Sequence, residues 1–198
     1  MVEIISAFIA AVGAIVASYV AVLNKRNIEK WKEDISKDSS KKVSNVATIY
    51  GEMWGLLHTL NADRVFIIQP HPLINYLYLS IGLEVVRNGV NKLTYSIKDL
   101  PMADVANFTS KIAKEDFIYY QDAEQDCSDK RATAIFSTNG TSQLAIKKLT
   151  DLNDNWIGSL CVATTLDGKL DETIMVRTIA EAANNIQYIL PEYSRLPQ

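Results

Sequence analysis

Apolar residues run from Ile4 to Leu23 without a single charge, as IISAFIAAVGAIVASYVAVL. A helix of that length covers about 30 Å, the thickness of a bilayer's hydrocarbon core, so the stretch predicts one transmembrane helix over residues 1–24. A cleaved signal peptide fits less well. Glu3 is the only charge before the run, the run is long for such a peptide, and the exit Val22-Leu23-Asn24-Lys25-Arg26 is not a small-x-small site. Lys25, Arg26, Lys30, Lys32, Lys37, Lys41 and Lys42 all follow the span and none precedes it. That asymmetry predicts an inner or cytoplasmic membrane protein with its C-terminal part in the cytoplasm. Inside the span, Ser6, Ala10, Ala14 and Ser18 recur every four residues, with Gly13, Ala17 and Ala21 beside them. Small residues at this spacing let two helices approach closely in lipid and predict a homodimer.

Residues 25–42 change character. Mixed charges with Ile28, Trp31 and Ile35 at helical spacing predict a stalk. Its Lys25, Arg26, Lys30 and Lys32 would be drawn to anionic lipid headgroups at about 1 kcal/mol each. From residue 43 to 198 the pattern is that of a folded domain. Val43, Val46, Ala47, Tyr50, Met53, Trp54, Leu57 and Leu60 share one helical face. Val65-Phe66-Ile67-Ile68 predicts a central strand closed by Gln69-Pro70-His71-Pro72, because proline donates no ladder hydrogen bond. Tyr76 to Val86 predicts a second strand. A helix is expected from Pro101 to Lys114, a short strand at Phe117 to Tyr120, and an acidic loop from Gln121 to Lys130. Arg131 to Thr138 is ambiguous. Ser142 to Thr150 and Trp156 to Thr165 read as strands joined by Asp151 to Asn155. Asp171 to Leu190 is a periodic helix, capped by Asp171 and stopped by Pro191.

Composition narrows the function classes. Hydrophobic residues make up 48% of the 198, enough for a buried core behind the span. The net charge of −3 excludes the basic excess that nonspecific nucleic-acid binding needs. Cys127 and Cys161 are expected to be free buried thiols, although a disulfide between them is open. Asn107-Phe108-Thr109 and Asn139-Gly140-Thr141 match the glycosylation pattern, which a cytoplasmic domain leaves unused.

The segment AIKKLTDLNDNWIGSLCVATT, with Gly158 near the start of its last strand, is followed by Asp167-Gly168 and an amphipathic helix. This order resembles the end of GAF domains, over about Val43 to Leu190, and PAS domains share much of the plan. The resemblance implies an α+β fold, an antiparallel sheet with helices on one side and often a small-molecule pocket on the other. It also implies dimerisation through the first and last helices. The Asn-Lys-Phe-Asp-Glu set of cyclic-nucleotide-binding GAF domains is absent, and Phe108 to Phe117 does not match it. A bilin-attaching Cys followed by His is missing too, since Ser128 follows Cys127 and Val162 follows Cys161. No output enzyme module follows the domain, and no cofactor is expected.

Candidate chemistry is sparse. His58 and His71 are the only histidines, His58 on a helix face and His71 between two prolines at a strand end. Neither a paired-His motif nor a CxxC supports a metal. No G-x-S-x-G elbow or P-loop supports hydrolase or NTPase chemistry. The acidic run Asp122, Glu124, Asp126 and Asp129 reads as a solvated loop. The Asp151 to Asn155 turn lacks the glycine and glutamate of an EF-hand. His71, Tyr76, Tyr78, Tyr119 and Tyr120 are the expected pocket liners. Along a strand Tyr76, Tyr78 and Ser80 share one face and Leu77, Leu79 and Ile81 the other. The expected function is a membrane-anchored, non-enzymatic sensory or protein-interaction module. A holin-like or lysis-regulating phage or bacterial protein is the alternative, and an enzyme on a GAF-like scaffold a third.

Overall fold

The computed structural model describes residues 40–72, 75–165 and 168–193. The chain divides into two compact units, Met1–Ser44 and Asn45–Gln198. Of the first, only the helical residues 40–44 are described. The expected span, its Ser6, Ala10, Ala14 and Ser18 stripe, and the basic Lys25, Arg26, Lys30 and Lys32 lie outside the described residues. Among those described, no helix is long and apolar enough to cross a membrane.

Helix α1 covers residues 40–59. Its buried face is Ile49, Met53, Leu56, Leu57 and Leu60, with Val43 71% and Trp54 44% exposed. The expected face is therefore rotated, because α1 carries more apolar residues than one face can cover. Trp54 instead lies against the His58 ring, centroids 6.0 Å apart. Strands β1 (Arg64–His71) and β2 (Tyr78–Val86) follow, then the two-residue β3 (Leu100–Pro101). A 3-10 turn, Met102–Val105, leads into α2 (Ala106–Lys114). After β4 (Phe117–Tyr120) come two short helices, α3 (Ala123–Asp126) and α4 (Lys130–Thr138). Strands β5 (Thr141–Thr150) and β6 (Trp156–Thr165) and helix α5 (Glu172–Gln187) complete the domain. The strands form one antiparallel sheet in the order β3-β2-β1-β6-β5-β4.

Three expectations are corrected here. β1 runs through Pro70 to His71 rather than stopping at Ile68. Its pairing with β6 ends at Ile68, so Pro70 lies where only β2 is a neighbour and the missing N–H costs little. The acidic stretch is not a plain loop. Asp122 accepts from the backbone N–H of Glu124 and Gln125 and starts α3, and Asp129 accepts from Arg131 and Ala132 and starts α4. The helix expected from Pro101 begins only at Met102, since Pro101 pairs with Tyr78 in β3.

All eight residues of β1 are buried, so the sheet is covered on both faces. On one face Val65 and Ile67 pack with α1 and α5, in a core that includes Met53, Leu160 and Ile179. On the other, Phe66 and Ile68 pack with the middle helices around Phe108, Ile112 and Phe136. β2 switches faces along its length. Ile67 pairs with Leu83 and Ile68 with Ile81, leaving Gly82 as the extra residue of a bulge. Leu79 and Ile81 consequently point to the middle helices, whereas Leu83 and Val85 point to α1 and α5.

The start of β1 is held by a buried arginine, 1% exposed. Arg64 donates through Nε to the Asn91 carbonyl (2.9 Å), through Nη1 to Thr141 Oγ1 (2.8 Å) and through Nη2 to the Asn139 carbonyl (2.7 Å). Burial pulls its pKa below the usual arginine value, against the raising influence of Glu84 and Asp63. Arg64→Leu leaves three acceptors without this donor and should lower unfolding free energy by about 3 kcal/mol, measured by urea denaturation; a loss below about 1 kcal/mol would refute this role. The bulge makes a second expectation. A Cβ on Gly158 would meet the Ile68 carbonyl oxygen, a backbone atom, at 2.8 Å, whereas one on Gly82 would meet Gln69 Oε1, the end of a side chain, at 2.6 Å. Gly158→Ala should therefore destabilise by about 2 kcal/mol or more and Gly82→Ala by clearly less, in the same denaturation experiment.

Candidate functional site

The five expected pocket liners do not meet in one place. Tyr119 and Tyr120 are neighbours on a strand and so take opposite faces. Tyr120 is 2% exposed in the core of the middle helices, with Lys111 Nζ 4.8 Å from its ring centre. Burial raises its phenol pKa, with Cys127 and Glu115 adding to the shift. Tyr119 packs toward α1 and α5 and donates its hydroxyl to Glu172 Oε1 at 3.4 Å. Its pKa is raised as well, by burial first and then by Glu172. Tyr76, with φ 46°, lies outside β2 and stacks on Trp156 at 6.3 Å.

His71 and Tyr78 do come together. They are paired across β1 and β2, with ring centres 5.8 Å apart. His71 is 4% exposed, and its Nε2 lies 2.8 Å from Ser80 Oγ and 3.3 Å from Asp99 Oδ1. Ser80 Oγ accepts from the Asp99 backbone N–H at 2.8 Å. The group looks like a Ser-His-Asp set by composition but is wired differently. A relay needs serine on one ring nitrogen and the carboxylate on the other. Here both Ser80 and Asp99 lie within reach of Nε2. Tyr193, beyond α5, closes the cluster with its ring centre 4.5 Å from that of His71. The Tyr78 and Ser80 face thus meets the chain after α5, while Leu79 meets the middle helices.

The face opposite α1 and α5, which the family resemblance assigns to a pocket, carries an apolar core that includes Phe66, Ile68, Phe108 and Phe136. Between Ile68, Leu79, Phe108 and Phe136 remains a cavity of about 10 Å³, lined only by apolar residues. A water molecule needs at least about that much, together with polar partners. Cys127 and Cys161 are free and buried, as the sequence predicts, and burial raises the Cys161 thiol pKa far above its ordinary value. Among the described residues, no three His, Cys, Asp or Glu side chains are placed to hold a metal.

A larger opening lies beside the tyrosine side. It has a volume of about 590 Å³ between the β5–β6 turn, Gln69 and the chain leaving α5, with Leu152, Ile157 and Leu190 among its walls. Sequence reasoning missed it. Its only signal was Pro191, which ends α5 and turns the following residues back toward β1, where Gln69 Nε2 donates to the Pro191 carbonyl at 2.9 Å.

This sheet order, with one helix layer formed by the first and last helices and another by the middle helices, decides the comparison. The fold is that of GAF domains. GAF3 from a Synechocystis protein, in its photoproduct state, is similar with TM-score 0.59 and 12% identity, over 72% of this chain and 90% of that one. The GAF domain/HD domain protein from Geobacter sulfurreducens matches with TM-score 0.56 and 10% identity, over 76% and 96%. A far-red absorbing domain with bound biliverdin matches with TM-score 0.55 and 11% identity, over 74% and 95%. No protein-family model and no curated protein matches the sequence. The GAF-like topology puts the β5–β6 turn, the His71 end of β1 and the end of α5 at one edge of the domain.

The turn itself is built on Asp151, as the sequence suggests. Its Oδ1 accepts from the backbone N–H of Asn153 (2.8 Å) and Asn155 (2.9 Å), and its Oδ2 from Asn155 Nδ2 (3.0 Å). The Asn155 bonds lower its pKa below the ordinary carboxylate value. A carboxylate with a lowered folded-state pKa contributes stability above its unfolded pKa and loses it as pH falls through the folded value. Asp151→Asn should therefore cost a constant amount at neutral pH and progressively less in acid. Urea midpoints of both proteins from pH 7 down to pH 2 check this; a difference independent of pH would refute it.

Proposed function

We propose that this chain is a membrane-tethered, non-enzymatic GAF-like module that senses a small molecule or engages a protein partner. The observation that carries the reading is the six-stranded sheet enclosed between the α1/α5 layer and the middle helices, the architecture of the GAF domains it resembles. Those neighbours include a domain holding biliverdin, which supports a small-molecule ligand here. Covalent bilin attachment is disfavoured, because both cysteines are buried and neither is followed by histidine.

The tether rests on the uncharged Ile4 to Leu23 run and on the lysines and arginine after it. Residues 1–24 act as anchor, and the Ser6, Ala10, Ala14 and Ser18 stripe supports pairing of two chains in the bilayer. Pairing through α1 and α5 would place the ligand-responsive elements at the dimer contact, with the domain on the cytoplasmic side. A lysis role finds less support, since most of the chain forms a folded domain with helices on both faces of its sheet, which such a role does not use.

Ultracentrifugation tests the tether. The full chain should pellet with membranes at high salt and be released by detergent, while a chain starting at residue 25 should remain in the supernatant. A full chain that stays in the supernatant without detergent overturns the membrane reading. Native mass spectrometry of the detergent-released chain should show a dimer, and a monomer at every concentration would remove the pairing step.

A further inference from the structure

The opening of about 590 Å³ beside the end of α5 has the size of a small-molecule site. Its walls combine two chemistries. Leu152, Ile157 and Leu190 supply apolar surface, and Leu152 is 86% exposed at the tip of the β5–β6 turn. Asp151 and Glu192 supply two carboxylates, and the described residues lining the opening include no lysine, arginine or histidine. Asp151 is held ionised by its turn hydrogen bonds. Among the described residues the site is thus apolar with a negative rim.

We infer that this opening binds an organic cation with an apolar body, an amine of arylalkyl type, rather than the middle-helix face serving as the ligand site. Charge complementarity selects the cation: an ammonium at the rim that carries Asp151 and Glu192 is attracted by their negative charge while its hydrocarbon part covers Leu152, Ile157 and Leu190. The cavity of about 10 Å³ between Ile68, Leu79, Phe108 and Phe136 admits no such molecule. Occupancy has a route to the rest of the domain. One wall is the chain from Leu190 to Glu192, fastened to the sheet through Gln69 and the Pro191 carbonyl, and continued by Tyr193 against His71. A ligand that shifts this wall shifts the exit of α5. The inference rests on the ligand-sensing reading above and specifies its site and ligand class.

The test uses the full chain in nanodiscs with labelled isoleucine and leucine methyl groups. Phenethylamine is the probe and 3-phenylpropionate the anionic control. Phenethylamine should move the Leu152, Ile157 and Leu190 methyl signals saturably, and phenylpropionate should not. Glu192→Gln, on an exposed residue outside the folded elements, should weaken the amine by about threefold, the order expected of one partly exposed charge contact. Equal response to both probes, or an unchanged affinity in Glu192→Gln, overturns the charge argument. Shifts at Ile97 and Ile135 instead place the ligand on the middle-helix face and overturn the site while leaving the sensing reading intact. Shifts of the same wall methyls on raising protein concentration, without amine, assign the opening to a second copy and overturn it too. No shift in a chain that pellets with membranes removes this site alone.

Discussion

A strand buried on both faces dictates the architecture. β1 exposes none of its eight residues, so it demands one apolar layer above and another below. Helices α1 and α5 supply the first and the middle helices the second. β6, the neighbour of β1, is in the same position, with Leu160 and Val162 facing one layer and Cys161 and Ala163 the other. Everything outside this pair serves to complete one cover or the other. The bulge at Gly82 lets β2 take part in both, contributing Leu79 and Ile81 to one layer and Leu83 and Val85 to the other.

Polar side chains secure the two ends of β1, and they do so differently. At the start, Arg64 joins β1 to the turn after β2 and to the turn between α4 and β5 through three hydrogen bonds. That end is closed and structural. At the other end, His71 gathers Ser80, Asp99, Tyr78 and Tyr193. This second end joins the sheet to the chain leaving α5 and borders the large opening. Displacement at the second end need not unfold the first, because the two are held by separate sets of side chains.

Much of the architecture was legible because it follows from local periodicity. β6 matches its expected bounds, Trp156 to Thr165, and the Asp171 cap and Pro191 stop bracket α5 as expected. β4 likewise emerged at Phe117 to Tyr120. The middle helices were harder. α3 is a four-residue helix with two acidic residues, and its signal is the Asp122 cap rather than any apolar stripe. The face of α1 was misjudged because periodicity counts apolar residues without knowing which of them has a layer to meet. Trp54 fits the helical pattern yet remains exposed beside His58.

The candidate site shows where sequence stops. Residue order by itself determined most of the strands and the last helix, the cap at Asp171, the turn from Asp151 to Asn155 and the burial of both cysteines, because each depends on neighbours within a few positions or on plain hydrophobicity. Only tertiary structure decided that Tyr119 and Tyr120 part company, that Tyr78 faces the end of α5, and that the middle helices build a second apolar core on the other face of the sheet. Those outcomes depend on strand register, and one unpaired residue, Gly82, exchanges the faces of β2 along its length. They depend also on distant partners, such as Gln69 and Pro191, 122 positions apart, whose meeting nothing local in the chain encodes.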